Sequence, residues 1–364
     1  MIRLAILLPD LRDGGAERVS VDLARAMLTL GHAVDIVLMQ ARGDMLSEVP
    51  NGARVVDFNT SRLRGAFWPL VGYLRRERPD ALIAAMWPLT VAAPIAIRLS
   101  GHRCPVLVSE HCMLSHQYAG WGKLHQIALR GSLAAGLRLA DACIGVSRGV
   151  ADDVASLGFR AAHKVSVIYN PIAPSPTLNA AALAAVGELW ACPPGERILT
   201  VGNLKDVKNH PLLLRAFARL PHTEARLMLL GQGQNEATLR ALAGELGIAH
   251  RVIFAGFHTD TSPFYATADL FVLSSDYEGF GNVIVEALAL GLPVVSTNCP
   301  SGPSEILEDG RYGRLVPVGN AEDLARAINE ALGAEHDREA LKRRAADFAP
   351  EIAAKKYLDL IFPQ

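Results

Sequence analysis

Residues 278–297 read EGFGNVIVEALALGLPVVST, and this stretch decides the fold. Before it, ADLFVLSS (268–275) is a short apolar run rich in β-branched and aromatic residues, the pattern of a buried strand. Gly279 and Gly281 let the backbone approach a ligand closely, and Asn282 suits the N-cap of the apolar run that follows. Gly291 closes that helix, and Pro293 opens the next strand. A strand, a glycine turn and a helix N-terminus form a site for anionic groups, because free N–H groups and the helix dipole point at it. Glu278 and Glu286 bracket the turn, and ionised carboxylates are strong acceptors for sugar hydroxyls. The first expectation is a phosphorylated sugar. On spacing alone the two acids read more simply, as a dipole-stabilising helix residue and a solvated loop residue.

The flanking sequence extends the pattern in both directions. With 364 residues, half of them hydrophobic, the chain is long enough for two α/β domains. Strand-like runs at 4–8, AVDIVLM, RVVDF, ALIAAM, PVLVSEH, ADACIGVS and VSVIYNP alternate with helical stretches. One of these, GGAERVSVDLARAMLTLG, puts Val19, Leu23, Ala26, Met27 and Leu30 on one face. The same rhythm resumes in RILTVGN, a helix over 210–220, ARLMLLG, a helix over 236–246, and RVIFAGF. It ends with a helix over 321–332. Between the halves, Pro171, Pro174, Pro176, Pro193, Pro194 and Gly195 flank an alanine-rich segment that reads as a linker. The expected organisation is a domain over 1–170, a linker over 171–195 and a domain over 196–345. The tail 346–364 is an amphipathic helix seeking a surface for Tyr357, Leu358, Ile361 and Phe362, expected on the first domain. The fold class is therefore α/β, with two doubly wound Rossmann-like domains facing across a cleft, their strand C-termini carrying the ligand sites.

Charge and cysteine content narrow the class. The net charge is -1, but residues 1–170 hold 19 basic against 14 acidic residues and the remainder 17 against 23. No Lys/Arg-rich block of a nucleic-acid binder is present. Five scattered cysteines without a CxxC pair point to a reducing cytosol. The apolar run 81–97, interrupted by Pro88 and Pro94, divides into a strand and a helix and is not read as a membrane span. Arg62, Arg64, Arg75, Arg76 and Arg78 lie near Phe67, Trp68, Leu70 and Tyr73, a mixture compatible with docking on anionic membrane or with a solvated helix surface over buried aromatics.

Further candidates sit at predicted strand ends. Gly14 and Gly15 follow the first strand and offer amides to a phosphate. Neither GGAERV nor GQGQNE completes a dinucleotide fingerprint. Lys208, with Lys205 three residues earlier, follows the strand ending near Gly202 and is placed to meet a diphosphate. His111 closes a strand beside Glu110, where it can bond a hydroxyl or assist proton transfer. Arg148 lies at a strand-to-helix junction, within reach of phosphate or acceptor.

Taken in order and spacing, VGNLKDVKN, LMLLGQGQNEATLRAL, VIFAGF, ADLFVLSSDYEGFGNVIVEAL and PVVSTNCPSGPSEIL resemble the retaining glycosyltransferases of family 4, which have the GT-B fold. Glu278 and Glu286 match that family's E-x7-E motif. The resemblance implies that Glu286 holds ribose hydroxyls, Glu278 the transferred sugar, Lys208 the diphosphate, and the amides around Gly279, Phe280, Gly281 and Asn282 the sugar and phosphate. It makes His111 the active-site histidine and brings Gly15 to the diphosphate. One departure stands out: Asn203 occupies the place of an arginine five residues before the lysine, and Lys205 is the candidate substitute. The implied donor is a nucleotide-diphosphate sugar, UDP-linked by preference, used without metal or cofactor. The implied acceptor is a glycan or polyprenyl-diphosphate-linked sugar at the inner face of the plasma membrane. A GT-B-type epimerase and an inactive sugar-nucleotide-binding partner are the competing readings.

Overall fold

The computed structural model describes residues 1–12, 14–173 and 178–362. The chain divides into two units, 1–173 with 348–364, and 174–347. Unit 1 holds a seven-stranded parallel sheet: β1 (Arg3–Leu8), β2 (Ala33–Leu38), β3 (Arg54–Asp57), β4 (Ala81–Ala85), β5 (Val106–Glu110), β6 (Ala142–Gly145) and β7 (Ser166–Val167), in the order β3-β2-β1-β4-β5-β6-β7. Its helices are α1 (Gly15–Thr29), α2 (Leu63–Glu77), α3 (Leu89–Ser100), α4 (Leu114–Gln117), α5 (Lys123–Leu139) and α6 (Arg148–Leu157). Central strands β1 and β4 are buried on both faces, which is why they read as unbroken apolar runs rather than alternating ones. Helix α1 turns Val19, Leu23, Ala26 and Met27 into the core. Leu30, expected on that face, lies one residue past the helix end and is exposed.

Unit 2 holds six parallel strands: β8 (Arg197–Val201), β9 (Arg226–Leu230), β10 (Val252–Gly256), β11 (Leu270–Leu273), β12 (Val294–Thr297) and β13 (Arg314–Val316), in the order β10-β9-β8-β11-β12-β13. Its helices are α7 (Ala180–Leu189), α8 (His210–Phe217), α9 (Glu236–Glu245), α10 (Ser262–Thr267), α11 (Asn282–Ala289), α12 (Pro303–Ile306), α13 (Ala321–Leu332) and α14 (Arg338–Ala346). The alanine-rich segment read as linker is in large part α7, which packs on α10. Trp190 is fully buried at its end, with the indole N–H donating to Thr267 Oγ1 at 3.0 Å. A large buried aromatic outweighs the breaker composition around it. Pro174 and Pro176 lie outside the described residues.

The last helix, α15 (Pro350–Ile361), belongs to unit 1. It lies against α1 and contributes Ala353, Ala354, Tyr357 and Ile361 to the unit 1 core, while Phe362 stays exposed.

Both sheets reverse direction of growth once. In unit 1 the chain switches between β1 and β4, and in unit 2 between β8 and β11. In doubly wound sheets the crevice at the carboxyl ends of such a pair is the ligand position.

Candidate active site

In unit 2 the residues at this switch point meet. Lys208 leaves the loop after β8 and Glu278 the loop after β11, and Lys208 Nζ lies 2.7 Å from Glu278 Oε1. Both are only partly exposed, so the pair is better shielded than a surface ion pair. Ser275 donates its hydroxyl to the same Glu278 oxygen at 2.6 Å. Ser274 donates to the Lys208 carbonyl at 2.8 Å, and Asn209 Nδ2 to Asp276 Oδ1 at 2.7 Å. β11 stops at Leu273. The expected strand residues Ser274 and Ser275 turn their side chains to the site loops instead of extending the ladder.

The glycine turn is held from the far side by the turn after β12. Glu278 N–H donates to the Pro300 carbonyl at 3.3 Å, and Ser301 Oγ to the Gly279 carbonyl at 2.8 Å. Gly302 has φ of 93°, and a Cβ there would stand 1.7 Å from the Phe280 carbonyl oxygen. Only glycine fits. Phe280 is buried beneath the turn. Gly281, with φ of 101°, caps α11, and Asn282 is the first helical residue. The cap expected at Asn282 therefore falls one residue earlier, where the left-handed backbone requires glycine. Glu286 lies in the second turn of α11, and Tyr265 donates its hydroxyl to Glu286 Oε2 at 2.8 Å. Tyr265 is 2% exposed and fixed by α10, so one carboxylate oxygen has a set direction.

The loop after β9 closes on the loop after β8. A Cβ on Gly231 would lie 2.1 Å from the Gly202 carbonyl oxygen, and one on Gly233 2.5 Å from that of Leu204. GQGQ is thus a backbone-contact loop. Asn203 sits in the β8 loop, and Lys205 is exposed and forms no ion pair among the described residues.

In unit 1, Gly14 and Gly15 cap and open α1 at the end of β1, and His111 follows β5. His111 Nε2 is 3.2 Å from Ser109 Oγ, which lies 3.1 Å from the buried Tyr357 hydroxyl. Burial pulls the His111 ring down to about 4, so it is neutral at neutral pH. Its Nδ1 has no protein partner among the described residues. Glu110 points the other way: it accepts from Trp87 N–H at 3.0 Å and from Thr90 Oγ1 at 2.5 Å. Burial pushes this carboxyl up to about 7 against the pull of those two donors. Arg148 is the exposed first residue of α6, whose cap is Ser147.

Sequence reasoning missed Tyr265, Ser275 and Ser301 as site residues, and gave Tyr357 only as a residue to be buried, without its contact to Ser109. Ser301 and Gly302 stand in a PSGPS turn whose density of small residues is the one available signal.

Two Rossmann-like units, one with a lysine–glutamate pair and a glycine turn at its switch point, define a GT-B glycosyltransferase. The description "Glycosyl transferases group 1" matches residues 193–348, and "Glycosyltransferase Family 4" matches residues 13–175. The chain is 31% identical over 361 residues to the lipopolysaccharide core biosynthesis glycosyltransferase LpsE of Rhizobium meliloti, covering 96% of each. Over 148 residues, 41% of this chain and 40% of the relative, it is 38% identical to a Campylobacter jejuni enzyme. That enzyme is named N-acetylgalactosamine-N,N'-diacetylbacillosaminyl-diphospho-undecaprenol 4-alpha-N-acetylgalactosaminyltransferase. Among solved structures, Anabaena HepE in complex with UDP superimposes with a TM-score of 0.81 at 23% identity, covering 99% of each chain. The chain belongs to glycosyltransferase family 4.

Proposed function

We propose that this glycosyltransferase moves a hexose or N-acetylhexosamine, with retention of anomeric configuration, from a UDP-sugar to a lipid-linked or surface-polysaccharide acceptor. The observation that carries the donor reading is the Lys208–Glu278 pair at the unit 2 switch point. A diphosphate arriving there competes for Lys208, and a sugar hydroxyl takes the vacated Glu278 oxygen. Glu286, oriented by Tyr265, accepts from the ribose hydroxyls. The amides of the Gly279–Asn282 turn, with its N-terminal helix end, meet phosphate and sugar oxygens. As the sugar–phosphate bond breaks, negative charge grows on the diphosphate, and Lys208 with those amides stabilises it. The leaving phosphate takes the acceptor proton on the face it departs from, which gives retention. We assign Gly14 and Gly15 to a phosphate contact, Arg148 to phosphate or acceptor, and neutral His111 to a hydroxyl of the transferred sugar. Lys205 is the substitute for the arginine that Asn203 replaces. Transfer proceeds without metal in this reading.

Support for the acceptor class comes from the relatives, one named for lipopolysaccharide core synthesis and one for a diphospho-undecaprenol substrate. HepE, crystallised with UDP, supports the choice of base. The test is a panel of nucleotide-sugars with lipid-linked acceptor extract, in the presence of chelator, followed by mass and anomeric analysis of the product. Transfer from a UDP-sugar with retention is expected. Release of a free 2-epimerised sugar from donor alone would establish the epimerase instead, and donor binding without any product would identify an inactive partner.

A further inference from the structure

Ser109 and Tyr357 place two hydroxyls where packing alone would favour apolar side chains. Ser109 lies in β5 between Val108 and Glu110 and is 1% exposed. Tyr357 lies in α15, joins Ala353, Ala354 and Ile361 in the unit 1 core, and is 3% exposed. A phenylalanine ring would fill the second position equally well, and a buried hydroxyl is costly unless its proton finds an acceptor. The two hydroxyls form one chain. Tyr357 Oη is 3.1 Å from Ser109 Oγ, and Ser109 Oγ is 3.2 Å from His111 Nε2. Neither hydroxyl has another hydrogen-bond partner among the described residues.

Counting protons gives the chain a direction. His111 is neutral at neutral pH, so its ring carries one proton, on Nδ1 or on Nε2. The Tyr357 hydroxyl, raised to about 12 by burial, keeps its own. With the ring proton on Nε2, the ring donates to Ser109 and Ser109 donates to Tyr357. The Tyr357 proton is then left in the core without an acceptor. With the ring proton on Nδ1, Tyr357 donates to Ser109 and Ser109 donates to Nε2, so both hydroxyl protons are used. Nδ1 has no protein partner in either arrangement and does not decide between them. A stranded buried donor disfavours the first arrangement by about tenfold or more. The ring is left with one donor, Nδ1–H, that the described protein does not meet. At the carboxyl end of β5 such a donor is available to a substrate oxygen.

We propose that Ser109 and Tyr357 are positioning residues that hold His111 in its Nδ1–H tautomer, so that the ring meets an oxygen of the transferred sugar as a donor. The last helix of the chain thereby serves the unit 1 site as well as the unit 1 core. The proposal rests on the assignment of His111 to the transferred sugar. The tautomer itself is read on the ligand-free protein, where that assignment plays no part.

The experiment is nitrogen-15 NMR of the histidine rings in the full chain at neutral pH, with the His111 signals identified by their loss in His111→Asn. The wild type should show Nδ1 protonated and Nε2 bare, at least about tenfold in excess of the other tautomer. Ser109→Ala removes the donor to Nε2, and the Nε2–H form should rise to a comparable population. Donor kcat/KM should then fall about twofold or more, in proportion to the Nδ1–H fraction that remains. UDP affinity should not change, because UDP carries no transferred sugar. Tyr357→Phe should shift the Nε2 signal in the wild type and leave it unmoved in Ser109→Ala, since Tyr357 acts only through Ser109. That double variant also removes the stranded Tyr357 hydroxyl, so the test stays open if Ser109→Ala alone folds poorly. Ser109→Thr keeps the hydroxyl and should restore the wild-type tautomer. A purely structural role would move the melting temperature and none of these signals. An Nε2–H ring in the wild type, or an unaltered tautomer in Ser109→Ala and in the double variant, would overturn the proposal. So would the expected tautomer shift with an unaltered donor kcat/KM. Failure of the donor reading has a separate signature, a wild type without UDP affinity.

Discussion

Replacing Tyr265 by Phe removes one oxygen and leaves the ring where it is, tilted against Phe271 at a centroid distance of 5.7 Å. The oxygen lost is the donor to Glu286 Oε2 at 2.8 Å. A hydrogen bond to a charged acceptor contributes about 1.5–3 kcal/mol. Glu286 is only partly buried, so water replaces some of that bond and the low end of the range applies. For a domain of this size the melting temperature should fall by about 3–6 °C. The functional consequence is separate. Freed from Tyr265, the Glu286 side chain must be ordered by the donor itself, at about 0.5–1.5 kcal/mol. The donor KM should therefore rise between about twofold and tenfold, with kcat nearly unchanged, because the bond is present before and after the transition state. Initial rates over a range of donor concentration, paired with calorimetric UDP binding, read both effects. A melting shift of the expected size with an unaltered donor KM would refute the reasoning, since Glu286 would then serve only the fold.

Acid sensitivity follows from two histidines that burial holds down to about 4, His111 and His210, against an ordinary value near 6.5. The unfolded chain binds more protons than the folded one between those values. Stability is thus fully present above about 6.5 and drains as pH falls toward 4, by up to about 3 kcal/mol per histidine. Glu110, held up to about 7, acts in the opposite direction and gains stability as pH falls through that value. Urea titrations of His111→Asn across this window should show a shallower acid decline than the wild type; an identical slope would show that His111 titrates normally. Gly302→Ala places a methyl group against the Phe280 carbonyl at a left-handed backbone position, so a loss of about 2–4 kcal/mol is expected in urea unfolding, with loss of UDP binding. Wild-type stability in that variant would mean the turn is free to move.

The β11–turn–α11 unit was legible because its chemistry is local: glycines where the backbone turns left-handed or approaches another chain segment, and an apolar run of helical length after them. The alternation of strands and helices was legible for the same reason. What escaped was non-local. Tyr265 lies 21 residues before Glu286, and Tyr357 lies 248 residues after Ser109. No periodicity connects such pairs, and only the sheet order brings them together. The alanine-rich segment before residue 195 reads as a linker from its flanking prolines, whereas in the structure it holds α7 and the buried Trp190, contacts that its local composition does not carry. On α2, the basic and aromatic residues allow either a membrane-facing surface or a solvated surface over buried aromatics, and the helix buries Leu70 and Tyr73 while Trp68 stays exposed.

The central claim is that the loops around Glu278 and Glu286 hold a nucleotide-sugar. Calorimetric titration of UDP into the wild type and into Glu286→Ala tests it directly. Loss of charged hydrogen bonds to the ribose predicts about a hundredfold weaker binding in the variant. Affinity within about twofold of the wild type would contradict the account.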